Sequence, residues 1–114
     1  MKKIKHLLTL QEWTKEEILS NIELSEKIKK NPDKYAEKLK NKTLLMIFAK
    51  PSLRTKLSFD VGMHQLGGHE IFYDLSSSTL GEKESIKDFA IVVSRYVDIV
   101  MAMLYEHKQI EDLA

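Results

Sequence analysis

A chain of 114 residues with 43% hydrophobic and 31% charged side chains has the make-up of one ordinary globular domain, burying roughly 60–70% of its extended-chain surface on folding. A net charge of +1 provides no field to gather nucleic acid or acidic membranes, and no apolar run reaches the ~18 residues of a transmembrane helix. Zero cysteines exclude disulfides and thiolate metal sites, and Met1-Lys2-Lys3 is followed by residues too polar for a signal-peptide core, so a soluble, cytoplasmic protein is expected.

In chain order, Thr14-x-x-Glu17 is a capping box, in which the Thr oxygen and the Glu carboxylate satisfy free backbone donors at a helix start. Ile18, Ile22, Ser25 and Ile28 continue at helical spacing until Asn31-Pro32 stops the run. Residues 1–42 hold eleven lysines against seven Asp and Glu but no arginine, which reads as a solvated helical face rather than a nucleic-acid arm. Thr43-Leu44-Leu45-Met46-Ile47-Phe48 is a continuous apolar run of strand length, of the kind buried on both faces of a parallel sheet.

The loop Ala49-Lys50-Pro51 leads into a helix over 52–66, closed by Gly67-Gly68. Leu53, Leu57 and Val61 form one apolar stripe on it, and Phe59, Met63 and Leu66 another, so the helix is expected to be covered twice. A second strand follows over 69–74, then a polar loop over 75–84. Ser85-x-x-Asp88 opens a third helix carrying Ile86, Phe89, Ala90, Val93 and Val97. A third strand is expected over 98–105, and a last helix begins near Lys108. A helix followed by three strand–helix units predicts an α/β fold, a parallel sheet of about three strands flanked by helices with right-handed crossovers.

In open α/β sheets, ligands bind beyond the carboxyl ends of the strands. The first such corner here is Phe48-Ala49-Lys50-Pro51-Ser52-Leu53-Arg54-Thr55-Lys56. Ser52 and Thr55 stand where a helix offers unpaired N–H groups and the positive end of its dipole. Arg54 adds a planar guanidinium suited to bidentate phosphate binding. It is one of only two arginines in a chain with sixteen lysines. Spacing alone leaves open a capping serine followed by surface charges. No P-loop or dinucleotide-binding glycine pattern is present.

Lys50-Pro51-Ser52-Leu53-Arg54-Thr55-Lys56-Leu57-Ser58-Phe59 resembles the Ser-Thr-Arg-Thr-Arg motif of the aspartate and ornithine carbamoyltransferases. The resemblance continues through Val61-Gly62-Met63-His64-Gln65-Leu66-Gly67-Gly68-His69, Leu80-Gly81-Glu82-Lys83-Glu84-Ser85-Ile86-Lys87-Asp88 and Ser94-Arg95-Tyr96-Val97-Asp98. It covers essentially the whole chain, and the Gly-Gly-His and Leu-Gly-x-Lys-Glu-Ser stretches favour the ornithine branch.

The resemblance implies that residues 1–114 are the amino-terminal portion of a carbamoyl-phosphate-binding domain, with the ornithine-binding domain absent. Ser52, Leu53, Arg54 and Thr55 then match positions that hold carbamoyl phosphate, with Arg54 in the catalytic role and Thr79, Lys83 and Met103 as further candidates. The implied reaction, attack of the ornithine δ-amine on the carbamoyl carbon to give citrulline and phosphate, needs no metal and no cofactor. It depends on positioning and on cationic donors. The family's trimers imply self-association, in which the loop over 76–84 reaches a neighbour's site; a dimer is the alternative for a fragment.

Four positions depart from the family's pattern. Leu53 replaces Thr where the backbone binds, and Lys56 replaces an Arg, keeping charge but losing the fork. Thr79 stands where the ornithine branch has Gln, and Met103 where the family has an Arg on carbamoyl phosphate. One lost charge-assisted contact costs about 1.5–3 kcal/mol. The chain also stops before the family's His-Pro-x-Gln segment and is expected to be inactive alone. Competing readings are a non-catalytic or engineered half-domain kept as a folding or assembly unit, and a fragment of an aspartate carbamoyltransferase. His6, His64, His69 and His107 lack metal-ligand spacing. Glu82, Glu84 and Asp88 read as loop charge and cap, Trp13 and the methionines as core.

Overall fold

The computed structural model describes residues 5–75 and 85–114. Helix α1 spans Lys15–Lys30. Strand β1, Thr43–Phe48, and helix α2, Leu53–Gln65, follow. Then come β2, His69–Asp74, and α3, Ile86–Val93, and last β3, Ile99–Met103, and α4, His107–Leu113. Short 3-10 turns at Leu10–Glu12 and Pro32–Tyr35 flank α1. None of the described helices is long and apolar enough to cross a membrane.

The sheet is parallel, in the order β2-β1-β3. Its centre, β1, is the apolar run, and Leu44 through Phe48 are all buried because partners flank the strand and helices cover its faces. Leu44, Met46 and Phe48 point to the α2 side and form the core with Met63; Leu39, Met101 and Met103 pack against it. On the other face Tyr73 of β2 meets Phe89 of α3, ring centroids 6.0 Å apart. The strand–helix alternation of the sequence and the bounds of β1 and β2 are as expected.

Other expectations need correction. The third strand ends at Met103, not at 105, and begins at Ile99. β1 limits it at both ends. Asp98 turns its side chain to accept the Thr43 N–H at 2.9 Å, and Ala49 N–H takes the Met103 carbonyl at 2.9 Å as β1 finishes. Val97 is not on α3, because after Val93 the N–H groups of Arg95 and Tyr96 bond three residues back and the helix tightens to a close. Trp13 is only partly buried and outside the core; Lys5 Nζ stands 4.7 Å from its ring centroid.

Of the two stripes on α2, Met63 is buried and Leu66 partly so, while Leu53, Leu57 and Val61 are 71%, 49% and 49% exposed. Within the described residues the chain itself covers this helix on one side only.

The carboxyl end of α2 is fastened to the turn before β1. Leu39 N–H bonds the Leu66 carbonyl at 2.8 Å, and His69 N–H bonds that of Lys42 at 2.9 Å. Gly67 makes this approach possible, with a φ of +84° and with the Ala36 carbonyl oxygen only 2.6 Å from where a Cβ would stand. Gly67→Ala is therefore expected to lower unfolding stability by about 1–3 kcal/mol, read from urea denaturation.

Candidate functional site at the β1–α2 corner

The six-residue β1 ends at Phe48, in register with Met103, and the chain leaves the sheet through Ala49-Lys50-Pro51 to enter α2. Proline at position 51 suits the extended approach. Ser52 is the N-cap, in the extended region at φ −158°, and its carbonyl accepts the first helical bond, from Lys56 N–H at 3.0 Å. The amides of Leu53, Arg54 and Thr55 precede that bond, and they have no intrahelical acceptor.

At the starts of α1 and α3 a side chain fills this gap. Thr14 Oγ1 accepts from Glu17 N–H at 3.1 Å, and Ser85 Oγ accepts from Asp88 N–H at 3.1 Å. The Thr14 N–H and Lys5 return the favour to the Glu17 carboxylate and hold its pKa below the ordinary 4.5. Ser52 does not act this way. Its Oγ donates to Thr55 Oγ1 at 2.9 Å, and no side-chain cap bond forms. The first turn of α2 thus keeps its N–H groups for another acceptor, with two partly buried hydroxyls beside them.

Three cations stand around the corner, in different states. Lys50 Nζ lies 6.0 Å from the Tyr105 ring centroid. Lys56 Nζ is bound to Asp60 Oδ2 at 2.6 Å. Arg54 is exposed, and among the described residues it has neither an ion pair nor a hydrogen bond. Its guanidinium is therefore available at the same turn as the free amides. The arrangement suits a small, multiply charged oxyanion.

Of the sequence candidates, Ser52, Leu53, Arg54 and Thr55 are brought together at this turn. The Leu53 side chain points outward, so only its backbone bears on the site. Met103 is the last residue of β3 and its carbonyl is bonded to Ala49, but its side chain packs partly buried against the core cluster. It borders the corner without offering a donor. Thr79 and Lys83 lie outside the described residues. Sequence reasoning missed the pairing of Lys56 with Asp60; their spacing of four on one helix was the available signal.

Comparison with known proteins identifies the family. The family described as "Aspartate/ornithine carbamoyltransferase, carbamoyl-P binding domain" matches residues 5–114. The chain is 48% identical over 109 residues to the ornithine carbamoyltransferase of Methanococcus maripaludis, covering 95% of this chain and 35% of that protein. Among solved structures, the ornithine carbamoyltransferase of Pyrococcus furiosus superposes with a TM-score of 0.86 at 46% identity, over 96% of this chain and 36% of that one. The ornithine transcarbamoylase of Giardia lamblia gives 0.84 at 40%, over 98% and 34%. The chain thus spans about a third of the length of the curated relatives it matches, 36% for the ornithine carbamoyltransferase of Vibrio sp..

The idle cap at α2 has a consequence for stability. Ser52→Ala is expected to change unfolding stability by less than about 0.5 kcal/mol, whereas Thr14→Ala and Ser85→Ala are expected to cost about 0.5–2 kcal/mol each. Denaturant titrations of the three variants check this.

Proposed function

The chain belongs to the aspartate/ornithine carbamoyltransferase family, and we propose that its β1–α2 corner holds carbamoyl phosphate as the donor half of an ornithine carbamoyltransferase. The observation that carries this reading is the uncapped first turn of α2 with Arg54 unpaired beside it. The free amides and the Ser52 and Thr55 hydroxyls receive the phosphate oxygens. Arg54 spans phosphate and carbamoyl oxygens, where charge builds as the amine attacks.

In the proposed reaction the neutral δ-amine of ornithine forms a C–N bond to the carbamoyl carbon. The bond from that carbon to the phosphate oxygen breaks, phosphate leaves with the electron pair, and the amine gives up a proton. The contribution of these residues is orientation and charge stabilisation. With only about a third of its relatives' length, the 114-residue chain is proposed to be the carbamoyl-phosphate-binding domain, able to bind the donor and not to complete the transfer.

A second reading rests on Met103. A thioether packed on the core adds no charge at the end of β3, which favours a half-domain that has lost anion affinity and serves as a folding or assembly unit. Titration separates the two. On the first reading carbamoyl phosphate or inorganic phosphate gives saturable heat in calorimetry, and Arg54→Ala weakens binding by about tenfold or more, the effect of one charge-assisted contact. Equal affinity in both proteins counts against the corner; no binding by the unmodified chain favours the second reading. Neither reading expects citrulline when the purified chain is given carbamoyl phosphate and ornithine; turnover in a colorimetric citrulline assay contradicts the proposed division of labour.

Self-association is part of the proposal. Leu53, Leu57 and Val61 form an open apolar strip on α2, and Ile99 and Val100 of the edge strand β3 are 45% and 41% exposed. Such surfaces favour a trimer of the kind the family resemblance implies, or a dimer through the sheet edge. Sedimentation equilibrium is expected to give a mass above the 13.2 kDa of one chain at high concentration. A clean monomer contradicts this expectation.

A further inference from the structure

Lys56 occupies a charged position of the corner, yet its surroundings differ from those of Arg54 two residues earlier. Its ammonium is bound to Asp60 Oδ2 at 2.6 Å, one turn along α2. The same Nζ stands 5.1 Å from the centroid of the Phe72 ring on β2. Phe72 in turn packs on Phe48, with ring centroids 5.3 Å apart and planes tilted by 40°. Phe48, 2% exposed, is the last residue of β1 and leads directly into the loop to Ser52. One connected set of contacts therefore runs from the first turns of α2, through β2, to the end of β1.

A carboxylate and an aromatic face both favour the ammonium where it is. Leaving to meet an anion would cost Lys56 both contacts, whereas Arg54 has none to lose. We infer that Lys56 is a positioning residue, clamped between Asp60 and Phe72. It fixes the start of α2 against the sheet so that the free amides and Arg54 converge on one anion, and it is not itself a ligand. This inference rests on the proposed anion site.

Asp60→Asn makes the sign of the effect decisive. Removing a negative charge near the corner raises anion affinity if Lys56 is a ligand held in check, because the freed ammonium turns to the phosphate. If Lys56 is a clamp, the same change loosens the first turn, and affinity falls. The expected results, by calorimetry with inorganic phosphate at two salt concentrations, are a loss of about three- to tenfold for Asp60→Asn. Lys56→Met, which keeps the stem over Phe72, is expected to show a loss of similar size with an unchanged salt dependence, and Lys56→Arg to stay within about twofold of the parent. Circular dichroism establishes that each variant is folded, and if Asp60→Asn is not, the two Lys56 variants decide.

Unchanged or increased affinity in Asp60→Asn, or a shallower salt dependence in Lys56→Met, overturns the inference. Arg54→Ala in the same titration separates the two levels. If it leaves affinity intact, the anion site itself is wrong and the clamp falls with it. If it weakens binding while Asp60→Asn does not, only the clamp fails.

Discussion

Everything at the candidate site depends on β1 being bonded on both sides. A strand with parallel partners at each edge and helices over its faces must be apolar along its whole length, and Leu44 through Phe48 satisfy that requirement. In return the strand cannot shift. Its pairing with His69–Asp74 and Ile99–Met103 places Phe48 at a defined height, and the corner that follows inherits that position. The bond from Ala49 N–H to the Met103 carbonyl is the last link before the chain turns away.

From this fixed point the start of α2 differs from those of α1 and α3 in capping, and its cations differ from each other in charge pairing. Capping is done by side chains at α1 and α3 and left undone at α2. Charge is divided in the same way, with Lys56 paired and Arg54 free. A helix start without a side-chain cap sacrifices some stability, and the fold recovers it through the buried strand, the tie from the far end of α2 to Leu39 and the bond from His69 of β2 to Lys42. Holding the carbamoyl donor, as proposed, asks for a rigid set of donors facing one oxyanion, with no group of the protein bonded covalently to the substrate.

Much of this was legible in the residues. Six successive apolar positions announced the central strand, Thr14-x-x-Glu17 and Ser85-x-x-Asp88 announced two helix starts, and Gly67 announced a stop, all of them local signals with local causes. The ends of β3 were not legible, because nothing in Asp98, Leu104 or Tyr105 says how long the neighbouring strand is. Nor was the exposure of Leu53, Leu57 and Val61, since a stripe records that a side chain is apolar and not what covers it. At the site, Ser52, Arg54 and Thr55 were identifiable from their place after a strand. The pairing of Lys56 with Asp60 was readable from their spacing on α2, but its contact with the Phe72 ring required the parallel register that brings Phe72 alongside Met46. Met103, at the position that the resemblance assigns to an anion-binding Arg, packs partly buried against the core cluster, as suits a side chain with no charge to offer.

The central claim is that the uncapped start of α2 and the unpaired Arg54 form one anion site. A crystal structure of the chain with bound carbamoyl phosphate, or with phosphate, tests it most directly. The account predicts the phosphate group beyond the end of β1, accepting hydrogen bonds from the amides of residues 53–55 and from the Arg54 guanidinium, with Lys56 still on Asp60. An anion bound away from this turn, or one seated there while Arg54 stays in solvent, contradicts it.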